Sequence, residues 1–273
     1  MDFIYTTDLH GDIPKYEAVL GFALEHDIKL MHLGADLLPK GNSILKMQKL
    51  FVNGYLKTFY SRCSKNNIKV LAFFGNDDIF TRKQYFRKYG ELLDEVCYRD
   101  GGILFSAYGF VPDYPFGLKT ACKLDYKGWE RPSYYLRNWM NELEYQTPIE
   151  YNEEGRYLID DIEKYFTDKG TIEEDLKSLK GDVVAIHCPP CGCDLDVIMS
   201  GQRVGSKSVR NWIEKKQPKL VLCGHIHENL SKTGFWKADI GKTLVIQPGQ
   251  GERTTHLVYI EIADSIRANL VQV

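Results

Sequence analysis

Short apolar runs alternate with longer amphipathic ones through residues 3–89. Phe3–Thr6 has the length and composition of a buried strand and runs into the polar stretch Thr7-Asp8-Leu9-His10-Gly11-Asp12. Ile13–Glu25 places its apolar residues at helical spacing, with Pro14 in the first turn, where a missing N–H costs nothing. Leu30–Leu33 is a second apolar strand, ending in Gly34-Ala35-Asp36, and a long helix follows over Ser43–Asn66. Val70–Phe74 is a third strand, ending in Gly75-Asn76-Asp77-Asp78, and Ile79–Tyr89 reads as its helix. Strand–loop–helix units in succession predict a parallel sheet covered on both faces. In such sheets ligands bind at the carboxyl ends of the strands.

The pattern continues with one or two strands over Gly102–Phe110 and then breaks. Residues 111–156 are rich in aromatics (Tyr114, Phe116, Tyr126, Trp129, Tyr134, Tyr135, Trp139, Tyr145, Tyr151) mixed with charges and prolines. This stretch reads as an insertion within one domain spanning 1–273. Ile159–Leu179 is predicted helical, and Asp182–Ile186 is a strand ending at His187. Ser206–Lys216 is a helix, and Lys219–Cys223 a strand ending in Gly224-His225-Ile226-His227. The tail reads as antiparallel strands over Leu244–Gln247, Leu257–Ile262 and Ala268–Val273. There is no internal repeat.

Composition narrows the picture. The chain has 273 residues, 44% apolar and 26% charged, enough to bury a large core without disulfides or structural metals. Its formal charge is −2 with both signs dispersed, so it lacks the basic stripe that tracks a nucleic-acid backbone, and nucleic acid is disfavoured as a partner. No apolar run approaches the ~20 residues that span a bilayer. Met1 leads directly into Asp2-Phe3-Ile4-Tyr5, without a basic segment and an apolar run behind it, so a cytoplasmic protein is expected. The seven Cys are expected to be reduced thiols. His187-Cys188-Pro189-Pro190-Cys191-Gly192-Cys193 contains a Cys-x-x-Cys, but no second pair lies at zinc-finger spacing and no thioredoxin-like helix follows. Buried or half-buried thiols are the better reading.

Four of the seven His fall in the strand-end loops: His10, His187, His225 and His227. Asp8, Asp36 and Asn76 fall there too. Imidazole with carboxylate suits Zn, Mn, Fe or Ni better than Ca, and open sites with nitrogen and oxygen ligands are catalytic by habit. Each piece alone is weak, since Gly-Asn-Asp-Asp is also an ordinary turn. What carries weight is that five strand ends in order each deliver a ligand-type residue. His26, His32 and His256 lie outside these loops and are expected to pack or face solvent.

Asp8-Leu-His10, Gly34-Ala-Asp36, Gly75-Asn76-Asp-Asp78, His187 and Gly224-His225-Ile-His227 resemble the signature of the calcineurin-like metallophosphoesterase superfamily, in that family's order. Val204–Arg210, Lys219–His227, the Pro-Pro after His187 and Gln247-Pro-Gly249 are similar to a prokaryotic branch related to cyclic-nucleotide phosphodiesterases. The resemblance implies an α/β fold, a four-layer αββα sandwich with mixed sheets and an aromatic-rich insertion. It also implies two divalent metal ions, drawn from Mn, Fe, Zn and Ni. Asp8, His10 and His227 would hold the first, Asn76, His187 and His225 the second, and Asp36 would bridge them. Asp36, Asn76 and His187 would then be catalytic. A hydroxide between cations ~3.5–4 Å apart would attack phosphorus in line. The implied substrate is a small phosphorylated molecule, a nucleotide among the candidates, cleaved as a monoester or a diester.

Two departures stand out. The family usually has His after the Asn of the third block, where this chain has Asp77, and it often has Gly-Asp where this chain has Gly34-Ala-Asp36. A carboxylate beside an incoming phosphate is repulsive, so Asp77 is not expected to replace that His directly. Asp77, Arg203 and Arg210 are the candidate substrate contacts. The Gly205-Ser206 turn could offer N–H groups to an anion and the Arg side chains could grip it, but the same residues also read as a capped helix with a solvated basic face. The aromatics of 111–156 could stack a base, though the core of the insertion is favoured. The leading expectation is a metal-dependent phosphoester hydrolase. The alternative is a metal-binding scaffold or regulatory module with weak or lost catalysis.

Overall fold

A computed structural model describes residues 1–41, 43–79, 90–93, 97–130, 148–152 and 155–273. Four strands lie parallel and side by side: β1 (Asp2–Thr6), β2 (Leu30–Leu33), β3 (Lys69–Ala72) and β4 (Glu91–Leu92). The first three read as mostly apolar runs because both faces are buried. Ile4, Met31, Leu33, Val70 and Ala72 point to one face, against the helices α1 (Ile13–Glu25), α2 (Ile44–Phe51) and α3 (Lys57–Lys65). Phe3, Tyr5, Leu30 and Leu71 point to the other. Asp12 caps α1 by accepting from the Lys15 N–H, and Pro14 sits in its first turn. The helix expected over Ser43–Asn66 is one helical run with a wider π segment at Val52–Leu56 joining α2 to α3. The helix expected over Ile79–Tyr89 lies outside the described residues beyond Ile79.

β5 (Tyr98–Asp100) and β6 (Ile103–Tyr108) form a hairpin that opens a second sheet. Gly101 and Gly102, at φ of 51° and 82°, supply the turn between them. The chain then makes its excursion through β7 (Val111–Pro112), β8 (Cys122–Lys123), β9 (Ile149–Tyr151) and β10 (Arg156–Leu158). It returns through the helices α4 (Ile162–Lys169) and α5 (Ile172–Leu176) to β11 (Val183–Ile186), which pairs parallel with β6. The helix α6 (Lys207–Lys216) leads to β12 (Leu220–Leu222), parallel to β11. After the helical turn α7 (Asn229–Thr233), β13 (Lys237–Ile240) pairs antiparallel with β14 (Thr243–Ile246). Finally β15 (His256–Ile262) returns to the first sheet antiparallel to β1, with β16 (Ile266–Gln272) beyond it.

The sheet orders are β16-β15-β1-β2-β3-β4 and β13-β14-β12-β11-β6-β5. Val183, Ala185, Leu220, Leu222 and Ile246 face Phe3, Tyr5, Leu30 and Leu71 across the inter-sheet core. Their neighbours Val184, Ile186, Val221 and Val245 pack on α5 and α6 through Ile172, Leu176, Trp212 and Ile213. Two mixed sheets between two layers of helices make the αββα sandwich. Each sheet meets helices on one face and the other sheet on its second.

Several elements differ from expectation. Ile159–Leu179 is two helices, broken where Gly170 takes φ 71° and Thr171 starts α5 with a capping box to Glu174. The strand expected at Leu244–Gln247 runs parallel to β12 in the second sheet and is not part of an antiparallel tail. β13 has no counterpart among the expected strands; its Lys-Ala-Asp-Ile sequence at a sheet edge has little apolar signal. In the excursion, Val111 and Cys122 join Phe166 and Cys188 in a small core of their own. Lys119 and Asp113 form a buried ion pair at 2.7 Å beneath the Tyr114 ring. Tyr134, Tyr135, Trp139 and Tyr145 lie outside the described residues.

Candidate metal centre

The loops after β1, β2, β3, β11 and β12 meet at one end of the sandwich. Asp8, His10, Asp36 and His225 take φ of 57°, 45°, 54° and 71°, a left-handed conformation that non-glycine residues seldom adopt. Such strain persists only where the surroundings over-determine it. Here the first two loops are zipped together. The N–H groups of Asp8, His10 and Gly11 donate to the carbonyls of Ala35, Asp36 and Leu37 at 2.9, 2.9 and 2.8 Å. The buried Asp78 carboxylate then ties the second loop to the third by accepting from the N–H groups of Leu37, Leu38 and Gly75 at 3.2, 2.8 and 3.0 Å. Several glycines here, Gly75 and Gly224 among them, have no room for a side chain. A Cβ on Gly75 would overlap the Asp36 carboxylate, and one on Gly224 would stand 2.6 Å from Oδ2 of Asp8.

This scaffold gathers two sets of three ligand-type groups. Asp8, His10 and His227 each bring a donor atom within 4.8 Å of the others, and so do Asp36, His187 and His225. Within the first set, Nε2 of His10 and His227 face each other at 3.0 Å, and His227 Nε2 lies 3.4 Å from Oδ1 of Asp8. Within the second, His187 Nε2 lies 3.3 Å from Oδ2 of Asp36 and 2.9 Å from Oδ1 of Asn76. The orientation of the carboxylates is fixed from behind. The Asp36 carboxylate accepts from the Asp77 N–H at 2.8 Å, and the Asp8 carboxylate from the His225 N–H at 3.1 Å.

Charge describes what such a centre wants. Burial opposes ionisation of Asp8, but His227 and His187 outweigh it and hold the carboxyl down at about 2. Asp36, also buried, is held well below the usual carboxylate range by His187 and His10. Burial would push His187 down, yet the Asp36 carboxylate lifts it to about 9, and Asp8 lifts His227 in the same way. Burial drops His10 to about 4 and, aided by the positive His187, His225 to about 3. Two buried carboxylates thus draw positive charge from imidazolium, while two neutral imidazoles keep free lone pairs. The buried Nδ1 atoms of His10 and His187 have no hydrogen-bond partner. A divalent cation in each set would replace the imidazolium protons of His187 and His227 and draw on the lone pairs of the neutral His10 and His225, so the residues fit two such ions.

Other sequence candidates stand apart from the two sets. Asp77 reaches toward the first: its Oδ2 lies 3.8 Å from His10 Nδ1, and His10, Asp36 and Asp77 can also share one ion. Burial, with Asp36 close by, pushes the Asp77 carboxyl up to about 6. Arg203 pairs with Asp194 and Asp196, and Arg210 with Glu214 one turn on. The Ser206 turn that could have met an external anion holds an internal one. The Asp125 carboxylate accepts from the Ser206 hydroxyl and from the N–H groups of Lys207 and Ser208. Ser206 also caps α6 by accepting from the Val209 N–H. All seven Cys are free, and among the described residues none joins a metal-ligand cluster. His32 and His256 are buried in strands, and His26 stacks on Phe22 at the surface.

Sequence reasoning missed Lys40 beside the centre and gave Asp78 and Tyr114 no place there. Asp78 reads in the sequence as part of a turn and of the signature block, without a role of its own. Lys40 sits three residues after Leu37 in the second loop, with Nζ 3.5 Å from Asp77 Oδ2 and 3.4 Å from His10 Nε2. A single Lys before Gly41 carries no signal in one sequence. Tyr114 of the excursion meets His225 edge-on, with ring centres 5.9 Å apart.

The comparison with curated proteins finds no match. Among solved structures, a dimetal phosphatase from Danio rerio superposes with a TM-score of 0.55 at 11% identity, covering 100% of this chain and 98% of that one. The protein TT1561 of Thermus thermophilus gives 0.50 at 15% identity over 98% and 97% of the two chains. At these identities the likeness is one of fold. The sequence model of calcineurin-like phosphoesterases matches residues 1–229. With the sandwich fold and the candidate ligand groups gathered at the strand ends, the chain belongs to the calcineurin-like phosphoesterase family and is a hydrolase.

Proposed function

We propose that the protein hydrolyses small phosphate esters at a dinuclear centre. Asp8, His10 and His227 hold one divalent cation, Asn76, His187 and His225 the other, and Asp36 stands between them. The observation that carries this reading is the meeting of the two ligand sets, with His10 facing His227 at 3.0 Å and His187 3.3 Å from Asp36. Bound cations supply a water acidic enough to act as nucleophile at neutral pH and charge to neutralise phosphoryl oxygens. The chain's own part is to hold that geometry. The Asp77 N–H fixes the Asp36 carboxylate and the His225 N–H fixes that of Asp8, so the ligands need no rearrangement when an ester arrives. Nitrogen and oxygen ligands of this kind accept Mn, Fe, Zn or Ni, with availability deciding among them.

The domain is read as one unit over 1–273 with 111–156 inserted. Its seven free thiols support work in a reducing compartment such as the cytoplasm. The substrate is a small phosphorylated molecule, a nucleotide among the candidates, because the net charge of −2 gives no field for a long polyanion. The test is hydrolysis of bis-p-nitrophenyl phosphate and p-nitrophenyl phosphate by protein stripped of metal and reloaded with Mn, with Asp36→Asn as control. Metal-dependent turnover lost in the control supports the enzyme. Two bound metals with no turnover of either ester would move the scaffold reading to first place.

A further inference from the structure

Asp77 is an anion at the mouth of a centre built to receive anions. Its place is fixed by its backbone. The N–H donates to the Asp36 carboxylate at 2.8 Å, and the C=O accepts from the Gln48 side-chain amide at 2.7 Å. The side chain therefore cannot swing away with its loop. Its Oδ1 accepts from the Asn76 amide at 3.2 Å, and its Oδ2 lies 3.8 Å from His10 Nδ1. The carboxylate thus spans the gap between residues of both ligand sets. Among the described residues its partner toward solvent is Lys40, whose Nζ lies 3.5 Å away. The two charges are unequally screened: the Asp77 side chain is 23% exposed, that of Lys40 52%. Water weakens the field of Lys40 more than that of Asp77.

We propose that Asp77 and Lys40 form a charge filter that makes the centre select monoanionic phosphodiesters over dianionic phosphomonoesters. This rests on reading the centre as a phosphoester site. Near neutral pH a diester brings one negative charge to the metals and a monoester brings close to two. A fixed carboxylate beside the binding site repels the second kind twice as strongly as the first. Lys40 offsets part of this repulsion and keeps the mouth open to an anion at all. In the ligand assignment proposed above neither residue holds metal. Both set which charge state of the ester can be accommodated.

The size of the filter follows from Coulomb's law. One unit of charge at roughly 6 Å, in an effective dielectric between ~80 and ~20, changes binding by a factor between about 3 and about 100. Removing Asp77's charge should shift the preference between a dianion and a monoanion by one such factor.

The test uses the full chain reloaded with Mn at pH 8, with inorganic phosphate as the dianion and diethyl phosphate as the monoanion. Binding is read by calorimetry alongside Mn content per chain. Asp77→Asn should keep its metal and tighten phosphate relative to diethyl phosphate by about 3- to 100-fold. Lys40→Ala should shift the ratio the opposite way, by less. The double variant should fall between Asp77→Asn and the wild type, which also guards against a fault in folding. An unchanged ratio in Asp77→Asn, or loss of Mn from it, overturns the proposal, the latter because Asp77 would then be a ligand. An unchanged ratio in Lys40→Ala overturns the pairing. If the wild type shows the ratio but cleaves neither nitrophenyl ester, the filter stands and the hydrolytic reading falls. If it binds neither anion, both fall.

Discussion

The Asp36 carboxylate accepts a hydrogen bond from the backbone N–H of Asp77 at 2.8 Å, while its other oxygen lies 3.3 Å from His187 Nε2. One side chain thus joins the ends of β2, β3 and β11 across both sheets. In Asp36→Asn the amide keeps a carbonyl oxygen for the Asp77 N–H, so the fold should survive. The charge that binds positive ions is gone. Altering groups that only support a metal ligand typically costs 10–100-fold in affinity or activity. Losing the ligand charge itself should cost at least the upper end of that range, read as kcat on bis-p-nitrophenyl phosphate and as bound Mn per chain.

Gly75→Ala tests how tightly this junction is packed. The added Cβ would overlap the Asp36 carboxylate and stand 2.8 Å from the Ala35 Cβ. Overpacking of this kind costs about 1–3 kcal/mol. Thermal unfolding should show the loss, and metal affinity should fall with it because the atom displaced belongs to Asp36. A variant as stable and as metal-bound as the wild type would mean the loop has slack that the packing does not show.

How much of this could be read in the sequence depends on the kind of signal. The ligand loops were legible because apolar strands of fixed length end in polar residues, as at Leu33-Gly34-Ala35-Asp36 and Cys223-Gly224-His225. The pairing of the sheets was not. Whether Thr243–Ile246 lies beside β12 or beside β15 is decided by which apolar face it covers, and a four-residue strand buried on both faces gives no period to choose by. Partnerships far apart in the chain were equally hidden. Asp125, more than 80 positions before Ser206–Ser208, fills the helix start there, and nothing near Ser206 in the sequence points to it.

Asp78 carries a prediction of stability rather than catalysis. It is fully buried, and its carboxylate accepts from three backbone N–H groups in two loops. Asp78→Ala leaves those donors buried and unpaired, and each unsatisfied group costs roughly 1–3 kcal/mol. The variant should lose about 3 kcal/mol or more in denaturant unfolding. Asp78→Asn keeps one carbonyl acceptor and places an NH2 against the other donors, so it should recover only part of the loss. Full stability in Asp78→Ala would show that the loops hold without this tie.

His32 should make the fold sensitive to acid independently of the metal centre. Its ring is fully buried among Tyr5, Phe73 and Phe105, and neither ring nitrogen has a hydrogen-bond partner. Burial drops its pKa from 6.5 to about 3. As pH falls below 6.5 the unfolded chain takes up a proton that the folded chain refuses, so unfolding is favoured. His32 therefore costs no stability from titration above pH 6.5, and stability falls as pH drops from there toward about 3. The slope approaches about 1.4 kcal/mol per pH unit. His32→Leu keeps the apolar contacts and removes the titration. Measured on chelator-treated protein, its stability relative to wild type should be flat from pH 8 to 7 and then rise by roughly 2 kcal/mol between pH 6.5 and 5. A difference that stays constant down to pH 5 would mean that His32 accepts its proton inside the fold.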